Sequence, residues 1–178
     1  EAHELLEETS DHGLSLNLRV SYRPQYLSST QFGIVAAWNE LNVRHDLIPV
    51  PDQPESIDQA SLGVFGDWRR DDLRLVASLV YFDNTLEFPT SSVDDNYLLG
   101  YAQLEYEANS AVTVFGRAES GIDQDDSAYL ALFDAFITDR YMLGARWDVV
   151  EYHSLTFEIA NTTNGAGPGS SRDFNEYR

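Results

Sequence analysis

The sequence predicts an all-β fold, namely an antiparallel up-and-down transmembrane β-barrel, from three observations. Apolar and polar residues alternate with a period of two along most of the 178 residues, which places them on opposite faces of a sheet. The arms of the clearest hairpin, residues 139–163, have about 10–12 residues each, twice the usual ~5–6 and close to the ~9–11 of a tilted membrane strand. Tight turns alternate with longer loops, which is typical of membrane barrels.

The composition excludes two other classes of protein. No apolar run approaches the ~18–20 residues of a membrane-spanning helix, so a helical membrane protein is excluded. The formal net charge of -19 argues against nucleic-acid binding, because phosphates would be repelled. The chain has no cysteine, so it forms neither disulfides nor thiolate metal sites, and all 11 basic residues are arginine. No cofactor is predicted.

The first strand has the cleanest alternation in the chain. Leu14 and Leu16 lie on one of its faces, and Arg19 lies on the other. Residues 1–12 before it are acidic and predict a loop or a short helix. The barrel strands are therefore assigned to residues 13–178.

The later strands are separated by three predicted long loops, residues 43–58, 84–95 and 121–138. The first of these loops contains three prolines, which cannot donate to a strand ladder. The predicted strands are, in order, residues 13–23, 31–42, 59–68, 73–83, 96–107, 111–120, two strands within 139–163, and a last strand from residue 172.

Aromatic residues near the predicted strand ends add to the alternation, because such side chains form interfacial girdles in membrane barrels. They are Tyr22, Trp38, Trp68, Tyr81, Tyr97, Tyr106, Tyr141, Trp147 and Tyr152. The alternating segments are residues 14–22, 73–81, 97–106, 112–118, 141–149 and 155–159. With these two features the chain resembles the C-terminal part of a Gram-negative outer-membrane porin-type β-barrel.

The resemblance implies a location in the bacterial outer membrane, contacts with lipid and lipopolysaccharide, and a polar lumen for small hydrophilic solutes. It also allows a homotrimer or a partner protein. Two features depart from the porin pattern: the chain ends on Arg178 rather than on an aromatic residue, and about nine strands is an odd number, whereas bacterial single-chain barrels have an even one. We therefore expect a fragment of a larger barrel.

The alternation divides the candidate site residues into two sets. Charged residues on the polar face are predicted to line the pore and set ion selectivity; the alternative is that they pair across strands and only stabilise a polar interior. The predicted pore-lining residues are Arg19, Arg74, Glu105, Arg117, Glu119, Arg146, Asp148 and Glu158. The predicted lipid-facing residues are Leu14, Leu16, Leu18, Leu75, Leu79, Val112, Val114, Leu143, Leu155 and Phe157.

The last long loop carries two further candidates. Asp123, Asp125 and Asp126 are hard oxygen ligands of the kind that Ca²⁺ prefers, but the spacing does not fit an EF-hand, and a solvated acidic loop is the favoured interpretation. Residues 129–136 are apolar and predict either an inward-folded constriction loop, a short helix against the wall, or an extended strand.

These observations favour a porin-like channel for passive diffusion of small solutes or ions. The histidines have no metal-ligand spacing, and no nucleophile elbow or phosphate loop is present, so no enzyme is predicted. One alternative is a soluble antiparallel barrel or sandwich that binds a ligand inside, with the same apolar rows turned inward. Another is a barrel that serves as a scaffold or sheath for a partner protein.

Overall fold

The protein is all-β. The computed structural model describes residues 14–25, 29–42, 54–124, 126–132, 136–151, 153–165 and 171–177, so the predicted acidic segment 1–12 lies outside the described residues. Nine antiparallel strands form one sheet in the order of the sequence. The strands are β1 Ser15–Tyr22, β2 Gln31–Asn42, β3 Ser56–Arg70, β4 Leu73–Phe88, β5 Ser91–Asn109, β6 Val112–Ile122, β7 Phe136–Val150, β8 His153–Gly165 and β9 Ser171–Tyr177.

The prediction of an antiparallel up-and-down sheet is confirmed by this strand order. Within the described residues, β1 pairs with β2 alone and β9 with β8 alone. One turn of 3-10 helix, Leu130–Leu132, lies between β6 and β7. No helix in the described ranges is long and apolar enough to cross a membrane.

The predicted long loop at residues 84–95 is wrong. β4 continues to Phe88 and β5 begins at Ser91, so only a two-residue turn separates them. The polar residues that suggested a loop belong to paired strands: Asn84 is fully buried and donates from its Nδ2 to the carbonyl of Asp95 at 3.4 Å. The strict alternation of tight turns and long loops is therefore not kept along the chain.

The cross-strand register places the apolar side chains on one face of the sheet and the charged side chains on the other. Val20 lies opposite Ile34, Ile34 opposite Val64, and Val64 opposite Leu79, so one row of apolar residues crosses four strands. We call the face that carries this row the apolar face, and it also holds Leu16, Leu104, Val114, Leu143 and Phe157. We call the opposite face the polar face, and it holds Arg19, Asp67, Arg74, Glu105, Arg117, Glu119, Arg146 and Glu158.

The two faces differ in burial, and the polar face is the buried one. On the apolar face Leu143 is 71% exposed and Phe157 is 60% exposed. On the polar face, by contrast, Met142 beside Leu143 is only 7% exposed and Thr162 only 2%. The buried side chains of the regularly paired strand segments belong to the polar face, and they are Ile57, Asn84, Leu86, Asp95, Tyr97, Thr113, Met142, Ala160 and Thr162.

Glycine on the polar face allows aromatic rings to lie flat over a neighbouring strand. The ring of Phe115 on β6 covers Gly144 on β7, and a Cβ at that glycine would overlap three of its ring carbons. Gly116, which points to the apolar face, leaves room for a Cβ at 3.4 Å from Leu143. The two glycines therefore differ in what they tolerate.

We expect Gly144→Ala to lower the free energy of unfolding by about 1–3 kcal/mol, because the new methyl group forces Phe115 out of its position. Gly116→Ala is the control and should change stability by less than about 0.5 kcal/mol. Denaturant unfolding of the two variants measures the difference, and Phe115→Leu combined with Gly144→Ala should recover part of the loss. Equal effects of the two alanines would contradict this packing.

Candidate functional site

The polar face brings together all eight residues that were predicted to line a pore. Their positions follow from the register: Glu105 lies opposite Arg74 and Phe115, and Arg146 lies opposite Thr113 and Thr156. Arg74, Glu105, Arg117, Glu119 and Glu158 are partly buried, whereas Arg19, Arg146 and Asp148 are exposed. The face is thus the candidate functional surface of the described sheet.

Arg74 is the centre of its charge network. Its Nε donates to Oδ1 of Asp67 at 3.0 Å and its Nη2 to Oδ2 at 2.8 Å, which is a bidentate pair between β4 and β3. On the other side, Nη1 reaches Glu105 on β5 at 3.5 Å. Bidentate arginine–carboxylate pairs fix geometry as well as charge. Arg74 therefore ties three adjacent strands together.

The network continues through polar side chains to β6. Gln103 donates to Glu105 at 2.6 Å and accepts from the hydroxyl of Tyr101 at 2.9 Å. The guanidinium of Arg117 lies 4.6 Å from the centre of the Tyr101 ring, a cation–π contact, and it pairs with Glu119. A continuous band of polar contacts thus crosses four strands.

Further ion pairs flank this band, and their members include charged residues that sequence reasoning did not single out. Arg69 on β3 pairs with Glu107 on β5 at 3.0 Å, across the intervening strand. Arg140 on β7 reaches Glu176 on β9 at 3.4 Å in the same manner. The register places these residues on the polar face, and a period of two in the sequence does not say which pairs form across an intervening strand.

Arg19 differs from the other polar-face arginines. Its guanidinium lies 4.4 Å from the centre of the Phe65 ring, and this approach over β2 depends on Gly33, where a Cβ would overlap that ring. Among the described residues it contacts no carboxylate, and Glu158 likewise contacts no arginine. These two residues carry charge that no partner of the described chain neutralises.

The predicted lipid-facing residues all lie on the apolar face. Nine of them are exposed large apolar side chains, and they are Leu14, Leu16, Leu18, Leu75, Leu79, Val114, Leu143, Leu155 and Phe157. Val112 is partly buried and pairs with Asn109, next to a bulge in β5 between Glu107 and Asn109. Lipid contact itself is a prediction that the fold does not test.

One residue of the predicted aromatic girdle is misplaced. Tyr97 lies on the polar face, where it is only 4% exposed and stacks on Phe82 with ring centres 5.0 Å apart. The register gives the apolar-face position beside it to Leu98. Tyr152 lies outside the described residues, and the other girdle residues are on the apolar face.

The described part of the connection between β6 and β7, residues 123–124 and 126–132, folds over the polar face. Its 3-10 turn begins at Leu130, and Ala128, Tyr129 and Leu132 pack against the buried pair Ile57 and Leu86. This favours the inward-folded alternatives over an extended strand for the apolar stretch, of which residues 133–135 lie outside the described part. The segment borders a cavity of about 420 Å³ that Arg117, Glu119 and Gln124 also line.

The Ca²⁺ candidate in this segment stays a prediction. Asp123 has a left-handed backbone with φ of 63°, and Asp125 lies outside the described residues. In the described ranges, no group of three or more His, Asp or Glu side chains could hold a metal ion.

We expect a double-mutant cycle of Arg74→Met and Asp67→Asn to give a coupling of about 1 kcal/mol. The bidentate geometry favours a strong pair, and partial exposure screens it. The matched control is the neighbouring pair of Arg70 and Asp71, whose side chains are 75% and 87% exposed and should show no measurable coupling. Denaturant unfolding of each set of variants measures both; equal couplings would contradict the network.

Comparison with known proteins leaves the family open. No protein-family model, no curated protein and no solved structure matches this chain.

Proposed function

We propose that this chain forms the wall of a porin-like channel in a bacterial outer membrane, through which small hydrophilic solutes or ions diffuse passively. The observation that carries the proposal is the inverted burial of the two faces: the charged network is partly buried on the less exposed face, and the large apolar side chains are exposed on the other. An antiparallel sheet in water does the opposite and turns its apolar face to the core. Transmembrane barrels alternate apolar-out and polar-in.

The height of the apolar band also supports the proposal. On β4 the apolar face carries apolar side chains from Leu73 to Tyr81, the span of ~9–11 residues that a tilted strand needs to cross a bilayer. Beyond Tyr81 the same face carries Asp83, Thr85 and Glu87. The apolar face of β4 thus changes from apolar to polar side chains where the strand would leave the hydrocarbon layer. The last residues of β4 would then lie above the membrane.

The charges of the polar face indicate a weakly selective channel. Most arginines there are paired with carboxylates of the same strand or of nearby strands, so little net charge of either sign is available to a passing ion. Arg19 and Glu158 are the exceptions noted above. Width, more than charge, would then decide which solutes pass.

The soluble alternative fits the burial less well. A lipocalin-like barrel would place Leu16, Leu143 and Phe157 inside, yet these side chains are 58%, 71% and 60% exposed. A barrel that sheathes a partner protein would share the apolar outer face, and it is distinguished from a channel by conductance.

We expect Leu143→Arg to abolish assembly in the membrane, because an arginine on the lipid face costs about 2–4 kcal/mol near the bilayer centre. Ser154→Arg adds the same charge to the exposed polar side of β8, opposite Asp148, and should assemble normally. Folding into detergent or lipid vesicles, followed by a heat-modifiable band on a gel, measures both. A wild-type protein that is monodisperse and β-rich without detergent would contradict the membrane assignment.

Wild-type protein in a planar bilayer should show ohmic conductance. Arg19→Ser should shift the reversal potential in a salt gradient toward cations while leaving assembly intact, because it removes an unpaired positive charge from the polar face. The control is Arg70→Ser, since Arg70 lies at the turn end of the apolar face and should leave the reversal potential unchanged. Absence of conductance in a correctly assembled wild type would overturn the channel and leave the scaffold alternative.

A further inference from the structure

A single carboxylate fastens the segment 124–132, of which Asp125 lies outside the described residues, to the sheet. Asp95 on β5 is 7% exposed and accepts three hydrogen bonds from this segment. The hydroxyl of Ser127 donates to Oδ2 at 2.7 Å, the amide of Ala128 to Oδ1 at 3.0 Å, and the amide of Tyr129 to Oδ2 at 3.2 Å. Both carboxylate oxygens are used, as in anion binding by the free amides at the start of a helical turn.

The local fold of the segment prepares these donors. Ser127 is only 3% exposed, and its Oγ accepts from the amide of Leu130 at 3.1 Å, so it caps the 3-10 turn while it donates to Asp95. Its own amide donates to the carbonyl of Gln124 at 3.1 Å. The turn therefore presents its first amides toward β5 in one fixed orientation.

Side-chain packing places the segment across several strands. The Tyr129 ring stacks on Tyr97 with centres 6.3 Å apart, and its hydroxyl is hydrogen-bonded to Gln59 on β3. Burial raises the pKa of that hydroxyl above its usual range, so it stays protonated and neutral at ordinary pH. Ala128 and Leu132 rest on Ile57 and Leu86.

The other end of the segment is fixed by Gln124. Its side chain lies directly over Gly121, where any Cβ would overlap it, and its Nε2 donates to the carbonyl of Thr138 on β7 at 3.0 Å. The segment thus runs from the junction of β6 and β7 back over β5 to β3. At the ~4.8 Å spacing of neighbouring strands, it crosses roughly 15 Å of the polar face.

We propose that Asp95 is a positioning residue that latches the segment 124–132 over the polar face and thereby sets the width of the solute passage. This inference rests on the proposed channel, because the polar face is a passage only if the sheet encloses it. Gln124, at the start of the segment, lines the cavity beside Arg117 and Glu119. Releasing the rest of the segment from Asp95 therefore widens the opening.

The latch needs a carboxylate rather than any polar side chain. Three donors converge on two acceptor oxygens, and an asparagine offers one acceptor while its amide group would face a donor. Asp95→Asn keeps the shape of the side chain and removes acceptor capacity. Asp94→Asn is the matched control: it is the same change one position away, on the exposed side of β5, where Asp94 accepts a hydrogen bond from Thr85 at 3.2 Å.

The experiment compares these two variants with the wild type, each folded in detergent and shown to be assembled by heat modifiability. Hydrogen exchange of peptides that cover residues 124–132 should rise about tenfold or more in Asp95→Asn, because the amides of Ala128 and Tyr129 bond to different carboxylate oxygens and one of the two amides loses its acceptor. Exchange in β7 and β8 should stay unchanged. In a planar bilayer the same variant should show larger conductance and admit larger neutral solutes, whereas Asp94→Asn should match the wild type in both measurements.

Hydrogen exchange tests whether Asp95 holds the segment, and conductance tests whether the protein is a channel. Unchanged exchange in assembled Asp95→Asn would overturn the latch, whatever the conductance. If the wild type conducts, and Asp95→Asn shows raised exchange but the same conductance as the wild type, the segment does not set the width of the passage. If no assembled protein conducts, both the proposed channel and the solute passage are wrong. The exchange measurement still decides whether the carboxylate of Asp95 holds the segment. Should Asp95→Asn fail to assemble, Ser127→Ala removes one of the three bonds and should give a smaller change in the same direction.

Discussion

Cross-strand register is the constraint on which the two faces of this sheet depend. Side chains alternate with a period of two, so a slip of one residue between neighbouring strands would move a whole apolar set to the opposite face. The row that joins Val20, Ile34, Val64 and Leu79 shows the alignment at its plainest. A slip of β4 by one residue would place Arg74 on the apolar face and separate its guanidinium from the carboxylate of Asp67. Such a slip is unfavourable, because it leaves the charge of Arg74 without a partner.

Several features of the sequence hold that register. The two-residue turn after β3 contains Asp71 with φ of 52°, a left-handed conformation that aspartate tolerates better than most residues. Arg74 clamps three strands, and the Phe115 ring fits only over a residue without a Cβ. Each device acts on one face or at one end of a strand. Together these features fix the register of the central strands at more than one point.

The alternation made most of the fold predictable, because a period of two is a local property. The strand order, the side of every proposed pore-lining residue and the side of every proposed lipid-facing residue follow from it. It failed at residues 84–95, where Asn84 and Asp95 have the composition of a loop and the environment of a buried strand. The buried carboxylate of Asp95 is bonded to Ser127 and its neighbours, more than thirty positions later in the chain. A local sequence pattern does not indicate a contact between residues so far apart in the chain. For the same reason the sequence did not predict that Asp95 binds the segment 124–132.

Pairing and selectivity are linked on the polar face. The sequence left open whether its charges select ions or only stabilise one another, and the contacts favour the second role for most of them: Arg69, Arg74, Arg117 and Arg140 each have a carboxylate partner. A wall whose charges cancel in pairs presents a weak field to a solute in the proposed channel. Discrimination would then fall to the geometry of the opening, which gives the segment 124–132 more influence over passage than any one arginine of the wall.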